Sequence, residues 1–251
     1  MRHYSADMPG QASTTRVSPW SIVVMVSALI VGGAVVALAI ASVASSHERV
    51  VSFDVRGALS GVSLDVDDAD VAITGGGERA LLGVQRTDHY AFGHDADVQR
   101  TVAGGELRLR SRCPNAVPRA CSVSYRVVVP DNVPVTVRTT SGAVSFRAYR
   151  GSARVTTRSG DIGVAGFCGF SLEARAESGD IDAGAACAPQ QLTVRSNEGS
   201  VQVAVPPGRY QVEAESASGS ETVSGLDAVA DAPFAIQALS SSGNVSVEGR
   251  P

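Results

Sequence analysis

The chain of 251 residues contains no lysine, and all of its 21 basic residues are arginines. A nucleotide-binding phosphate loop needs a lysine beside the phosphates, and Schiff-base catalysis needs a lysine amine. Both kinds of site are therefore excluded. The arginines are interspersed with acidic residues and form no basic cluster, and the chain as a whole has a net charge of −4. We therefore expect no nucleic-acid partner, since such a partner needs a clustered basic face.

Aromatic residues and histidines are also scarce. Aromatic side chains make up 5% of the chain, and all four histidines precede residue 100. The serines of the later half have no histidine near them in sequence, and no G-x-S-x-G nucleophile motif occurs. We therefore expect no enzymatic activity and no cofactor. A polysaccharide-acting β-helix enzyme is a less favoured alternative, because it normally needs clustered carboxylates and aromatic sugar platforms.

The segment 87–97 concentrates two histidines and three aspartates, Asp88, His89, His94, Asp95 and Asp97. Imidazole and carboxylate groups are ligands of Zn²⁺ and Mn²⁺. Their spacing matches no known metal-binding motif, however. We interpret the segment as a polar connection between strands.

A long uncharged segment lies near the N-terminus. Residues 20–44 read WSIVVMVSALIVGGAVVALAIASVA. As a helix at 1.5 Å per residue they would be about 37 Å long, enough to cross a hydrocarbon core of about 30 Å. Arg2 and Arg16 precede the segment, which favours a cytoplasmic N-terminus. A cleaved signal peptide is the alternative, because Ser42-Val43-Ala44 offers a cleavage site for small residues.

This segment divides the chain into three parts. We predict a cytoplasmic tail at 1–19, a transmembrane helix in the plasma membrane at 20–44 and an extracytoplasmic domain at 45–251.

The later half of the chain repeats with a period close to 20 residues. The repeats are most regular over 133–248 and align on Gly142, Gly160, Gly179, Gly199, Gly219 and Gly243. Apolar residues recur seven and five positions before each glycine and two and four positions after it, with Glu221 as the exception. Alternation on both sides of a turn predicts two short strands, each with one buried face. Because such strand pairs stack as rungs, we predict an all-β fold, a short-rung β-solenoid.

Two features mark the ends of this repeat. A fainter copy places Ala69 in the glycine position, with apolar residues at 62, 64, 71 and 73. At the other end, Glu221 interrupts an apolar column and the last interval lengthens to 24 residues. We expect the last rungs to be distorted.

The chain has four cysteines, Cys113, Cys121, Cys168 and Cys187, and none forms a C-x-x-C pair. Cys168 and Cys187 each follow a repeat glycine by eight residues. Neighbouring strands lie about 4.8 Å apart, which a disulfide tolerates. We predict a Cys168–Cys187 bridge between two rungs and a Cys113–Cys121 bridge that closes a loop.

Asp161 and Asp180 follow the glycines of adjacent repeats. Two stacked carboxylates are weak candidates for a shared Ca²⁺ ion, which needs six to eight oxygen ligands. The other repeats carry Ala143, Ser200, Ser220 and Asn244 in this position. We interpret the two aspartates as turn formers and predict no metal site.

Arg138, Arg175 and Arg195 each stand four residues before the glycine of their repeat, and Thr156 takes this position in the intervening repeat. Residues in the same position of stacked rungs form a column. We therefore expect these arginines to contact an anionic cell-wall polymer.

The turns SGAV, SGDI and SGNV between short valine-rich strands, behind an N-terminal membrane segment, resemble a bacterial family of β-strand repeats called putative adhesins, a domain of unknown function. The resemblance extends over roughly residues 50–251 and is strongest over 133–247. It implies a right-handed β-helix-like solenoid and a role at the cell surface or envelope, and it supplies no catalytic residues.

These observations together predict a membrane-anchored, non-catalytic, adhesin-like binding or structural module. The expected partners are the plasma membrane, through residues 20–44, and a cell-wall polymer, glycan or surface protein. The main alternative is an envelope scaffold that self-associates through the ends of its solenoid.

Overall fold

The computed structural model describes residues 19–44, 46–115 and 121–250, and the chain divides into two compact units at Ser45 and Ser46. The described residues of the first unit form one helix, α1 (Pro19–Ala44), at the position of the predicted anchor. Apart from Pro19, the predicted cytoplasmic tail lies outside the described residues. Within the described part of the chain, no helix combines the length and the apolar character needed to cross a membrane. The transmembrane assignment is therefore not confirmed.

The second unit is all-β, as predicted. Its described residues form 19 strands. The strands are β1 (His47–Arg56), β2 (Gly61–Gly77), β3 (Leu81–Tyr90), β4 (Asp97–Ala103), β5 (Glu106–Arg112), β6 (Cys121–Pro130), β7 (Val135–Ser141), β8 (Val144–Arg147), β9 (Ala153–Ser159), β10 (Ile162–Phe167), β11 (Ser171–Ser178), β12 (Ile181–Ala185), β13 (Gln191–Glu198), β14 (Val201–Val205), β15 (Arg209–Ser216), β16 (Glu221–Ser224), β17 (Asp227–Ala228), β18 (Ala235–Ser242) and β19 (Val245–Gly249).

The strands stack as rungs, each made of one strand before a glycine turn and one strand after it. The strands before the turns pair in parallel and form the front sheet, and the strands after the turns form the back sheet. The first rung is the long strand β2, whose two halves pair with β7 in the front sheet and β8 in the back sheet. Val62 and Val71 of β2 align with Val135 and Val144, which confirms the fainter copy of the repeat around Ala69.

The core lies between the two sheets. One inward column consists of Val137, Val155, Ala174, Val194 and Ala238, and each of these residues is 0% exposed. Burial of each side chain against the rungs on both sides makes this column a continuous hydrophobic core, worth roughly 1.5–3 kcal/mol for each of the larger side chains.

The repeat glycines stack directly on one another. Gly160 has a φ of +139°, which L side chains rarely adopt, and a Cβ at this position would collide with the carbonyl group of Gly142. Glycine is therefore required both by the backbone conformation and by the close approach of the rungs.

The last two rungs are stacked in the reverse of their chain order. Strands β18 and β19 pair with β13 and β14 on one side and with β15 and β16 on the other. The C-terminal rung thus lies inside the stack, and the rung β15–β16 forms its end.

The position of Glu221 gives a physical reason for this order. In chain order Glu221 would lie in a buried apolar column between Val201 and Val245, and an unpaired buried carboxylate costs several kcal/mol. The C-terminal rung carries only apolar residues in its four columns, Ile236, Ala238, Val245 and Val247, each at most 1% exposed. The rung with the carboxylate therefore takes the end position.

The N-terminal end of the stack is irregular. Beyond β2, strands β5 and β6 continue the two sheets in parallel. The next strands then pair antiparallel: β4 on β5 in the front sheet, and β3 on β6 followed by β1 in the back sheet.

Both predicted disulfides are confirmed. Cys168 and Cys187 are bonded with Cα atoms 4.8 Å apart, next to paired strands of adjacent rungs. Cys113 and Cys121 are bonded across a Cα distance of 5.7 Å.

Candidate functional site

The front sheet carries the predicted arginines on its outer face. Arg138 and Arg175 both align with Thr156 of the intervening strand β9, and Arg175 aligns with Arg195. All three arginines are exposed. Because neighbouring strands are about 4.8 Å apart, the three rung steps from Arg138 to Arg195 span about 14 Å along the stack. The structure thus brings the predicted residues together in one column; we call the outer surface around this column the arginine face.

The three arginines differ in their partners. Arg175 forms an ion pair with Glu173 on its own strand, and Glu173 also pairs with Arg154 Nε at 2.8 Å. Among the described residues, Arg138 and Arg195 have no hydrogen-bond or ion-pair partner for their guanidinium groups. Their charges are therefore available to a ligand.

The column continues towards the N-terminal end of the stack. Arg110, in register with Asp65, places Nε 3.3 Å from its Oδ2, and Arg112 donates to the same oxygen at 2.9 Å. Arg108 donates to Glu106 at 2.7 Å, and this hydrogen bond holds the pKa of the Glu106 carboxyl below its ordinary value. These arginines are already paired with carboxylates, in contrast to Arg138 and Arg195.

Two shallow grooves cross the arginine face. One has a volume of about 550 Å³ and is lined by Arg108, Arg110, Arg138 and Arg154 together with polar residues of β2, β4 and β7. The other, of about 480 Å³, is lined by Arg175 and by polar residues of five strands in the front sheet. An elongated ligand can lie in these two grooves.

Asp161 and Asp180 link rungs through the backbone. Asp161 Oδ1 accepts a hydrogen bond from the Asp180 N–H at 2.9 Å, and Asp180 Oδ1 accepts one from the Ser200 N–H at 2.7 Å. Each carboxylate thus has a structural role in the turn. No group of three or more histidine, cysteine or carboxylate side chains lies close enough to hold a metal ion within the described residues.

A ladder of buried and half-buried hydroxyl groups was missed in the sequence. Ser196, Ser240 and Ser216, three residues before their glycines, donate to the carbonyl groups of Gly179, Gly199 and Gly243 at 2.7–2.8 Å. The small residue that always occupies this position was its signal, because a buried hydroxyl near a turn needs an acceptor.

The segment rich in histidine and aspartate is dispersed by the fold. His89 lies on the outer face of the back sheet, and Asp95 contacts Arg49 at 3.5 Å. Asp88 is buried and accepts from Arg86 Nη2 at 2.8 Å. This buried pair was also missed, although Arg86 and Asp88 continue the alternation of the inward residues Leu82 and Val84 and so share their face.

Several solved structures align with most of this chain. One is a "putative cell adhesion protein" from Clostridium sporogenes, with 11% identity, coverage of 82% of this chain and 100% of that chain, and a TM-score of 0.48. Another is a "putative adhesin" from Bacteroides fragilis, with 12% identity, coverage of 80% and 97%, and a TM-score of 0.42. Similarity at this level says nothing about the function of this chain. No curated protein matches it.

The family comparison is more specific. The Toastrack DUF4097 family matches residues 122–248, half of the chain. The matched range begins in β6 and contains the rungs from β7 onward, with parts of both sheets and with Arg138, Arg175 and Arg195. The repeated glycine turns, the parallel stacked rungs and this match together show that the chain belongs to the Toastrack DUF4097 family.

Proposed function

We propose that this protein is a non-catalytic, adhesin-like binding module, held outside the cytoplasm by residues 20–44 with its N-terminus inside, and that the arginine face binds an anionic polymer of the cell wall. Disulfides are typical of proteins in oxidising compartments, so the two bridges support the extracytoplasmic location.

The observation that carries the proposal is the column with two free guanidinium groups. Arg138 and Arg195 lie in register and about 14 Å apart along the stack, and neither has a partner among the described residues. A polymer with regularly spaced anionic groups fits such a column better than a single small anion, because only a repeating ligand reaches both arginines at once.

Binding of a soluble glycerol phosphate polymer, measured by isothermal titration calorimetry, tests the proposal. We expect the full chain to bind this probe and the triple variant Arg138→Ser, Arg175→Ser, Arg195→Ser to bind it at least about tenfold more weakly. Three exposed charge contacts at roughly 0.5–1 kcal/mol each sum to more than the 1.4 kcal/mol that corresponds to a tenfold change.

A matched control removes three exposed arginines elsewhere. Arg126→Ser, Arg147→Ser, Arg150→Ser gives the same net charge, and Arg126 and Arg147 lie on the outer face of the back sheet. We expect this control to bind like the unmodified chain. Equal weakening in both triple variants would show a general charge effect, and unchanged binding in the first variant would refute the proposal.

A further inference from the structure

The C-terminal end of the solenoid is an open sheet edge. Strand β15 pairs with β18 along one side, and on its other side the short strand β17 covers only Arg209 and Tyr210. Strand β16 pairs with β19 on one side. Within the described residues, no strand pairs with the remaining edge of this end rung. Such an edge is a ready template for another strand.

The columns of the end rung match those of the internal rungs. Val212 and Ala214 continue the inward columns of Ile236 and Ala238, and Val223 continues the column of Val247. Val223 is 44% exposed, and no strand of the described residues packs on it from outside the stack. The end rung therefore offers the same apolar spacing that every internal rung uses to pack on its neighbour.

Glu221 is the exception in this rung. It aligns with Val245 in an inward column, but its carboxylate is exposed and accepts a hydrogen bond from the Ser216 N–H at 2.7 Å. The adjacent Ala217 N–H donates to Ser240 of β18. Because successive N–H groups of a strand point to opposite sides, the Ser216 N–H belongs to the open edge. The Glu221 side chain therefore occupies a backbone donor that an incoming strand would need.

The N-terminal end of the stack also has a charged residue in an inward position. Arg100, on edge strand β4, places its guanidinium group 4.4 Å from the ring centroid of Phe53, on edge strand β1. A charged residue thus takes an inward position at each end of the stack. Inward-pointing charges on exposed edges prevent sheets from pairing with one another.

We infer that the end rung β15–β16 is a latent interface for a second copy of this chain, and that the Glu221 carboxylate keeps this interface closed. A second copy is the fitting occupant, because its own end rung presents the same apolar columns and two such rungs related by a two-fold axis make a self-complementary contact. In such a contact, each Glu221 carboxylate would occupy the Ser216 N–H that a strand of the other copy needs.

Sedimentation velocity of the full chain in one detergent tests the inference, since α1 is then common to all variants. We expect the unmodified chain to sediment as a monomer and Glu221→Val to shift, with rising concentration, to a species of twice the mass. Thr222→Val is the matched control: Thr222 is exposed on the same strand and points to the outer face, so we expect this variant to remain monomeric.

A second variant separates association through the proposed interface from nonspecific association. Glu221→Val combined with Val223→Arg returns a charge to the same face of the end rung, and we expect it to sediment as a monomer. The inference is wrong if Glu221→Val sediments like the unmodified chain at every concentration. It is equally wrong if Thr222→Val associates to the same extent, or if the added arginine leaves the association unchanged.

Discussion

At the residue scale, Asp180 shows how one oxygen atom joins two rungs. Its Oδ1 accepts the Ser200 N–H at 2.7 Å. Asn244, in the same position of its own rung, accepts the Ser220 N–H at 3.0 Å through an amide oxygen. The contact thus requires an acceptor and does not require a negative charge.

This comparison gives a prediction for two substitutions. Asp180→Asn keeps the acceptor, so we expect the free energy of unfolding to change by less than about 0.5 kcal/mol. Asp180→Ala removes it and is expected to lower the free energy of unfolding by about 1 kcal/mol. Urea unfolding measures both, with Asp182→Ala as a control, because Asp182 is exposed on the same rung. An equal loss in the Asn and Ala variants, or a rise in the melting temperature with calcium that Asp180→Ala abolishes, would contradict this role.

The roles of individual residues could be predicted from the sequence where several repeats carry a similar residue in the same position. The glycines before Asp161 and Asp180 predict turn formers, and the shared position of Arg138, Arg175 and Arg195 predicts a column. Partners could not be predicted in the same way. Arg175 pairs with Glu173 on its own strand, whereas Thr136 and Thr193 take the equivalent positions beside Arg138 and Arg195, which have no partner among the described residues. The partner of each arginine therefore depends on the residue beside it and not on its own position in the repeat.

At the element scale, the disulfide Cys168–Cys187 fastens one rung to the next. It closes a segment with a sequence separation of 19 residues, whereas Cys113–Cys121 closes one of 8. A longer closed segment restricts the unfolded chain more strongly. The inter-rung bridge is therefore the larger contributor to stability.

We expect Cys168→Ser with Cys187→Ser to lower the free energy of unfolding by about 3 kcal/mol, and Cys113→Ser with Cys121→Ser to lower it by about 2.5 kcal/mol. Urea unfolding without reductant measures both losses. The same experiment with reductant is the control, because the unmodified chain should then lose about as much as both variants combined. No loss in the first variant would show that this bridge does not constrain the stack.

The order in which the rungs stack could not be predicted from the sequence. The period of about 20 residues predicts which strands exist and which residues face inward, and Ala69 in β2 shows that even a copy without glycine keeps the register. It does not determine which rung packs on which, because two rungs with similar columns compete for one neighbour. Glu221 was the available signal: its charge disfavours an internal position, and the structure places its rung at the end.

At the scale of the whole molecule, the composition determines how stability depends on pH. The chain has no lysine, and its four cysteines are in disulfides. Between pH 9 and 12, tyrosines are therefore the side chains that titrate. Three of them, Tyr125, Tyr149 and Tyr210, are at most 1% exposed and lie at different levels of the stack. Burial raises the pKa of each above its ordinary value.

The sign of the effect follows from this difference in pKa between folded and unfolded chains. Above about pH 10 the tyrosines of the unfolded chain lose their protons, while the buried ones of the folded chain keep theirs. The unfolded chain then binds fewer protons than the folded chain. Tyrosine ionisation should therefore not affect the free energy of unfolding below about pH 9. Above pH 10 this free energy should fall by up to about 1.4 kcal/mol per pH unit for each buried tyrosine.

Urea unfolding between pH 8 and 11.5 measures this fall, and absorbance at 295 nm counts tyrosinates in the folded and unfolded chains. The Tyr149 hydroxyl donates to the Val133 carbonyl oxygen at 2.5 Å, and the Ser152 carbonyl oxygen lies 3.1 Å from it. We therefore expect Tyr149→Phe to lower the stability at pH 8 by about 1–3 kcal/mol, since it removes the donor to the Val133 carbonyl, whereas the Ser152 carbonyl still accepts from the Val135 N–H. The same variant should make the alkaline fall less steep. A fall that is as steep in Tyr149→Phe as in the unmodified chain would show that this tyrosine ionises equally in both states.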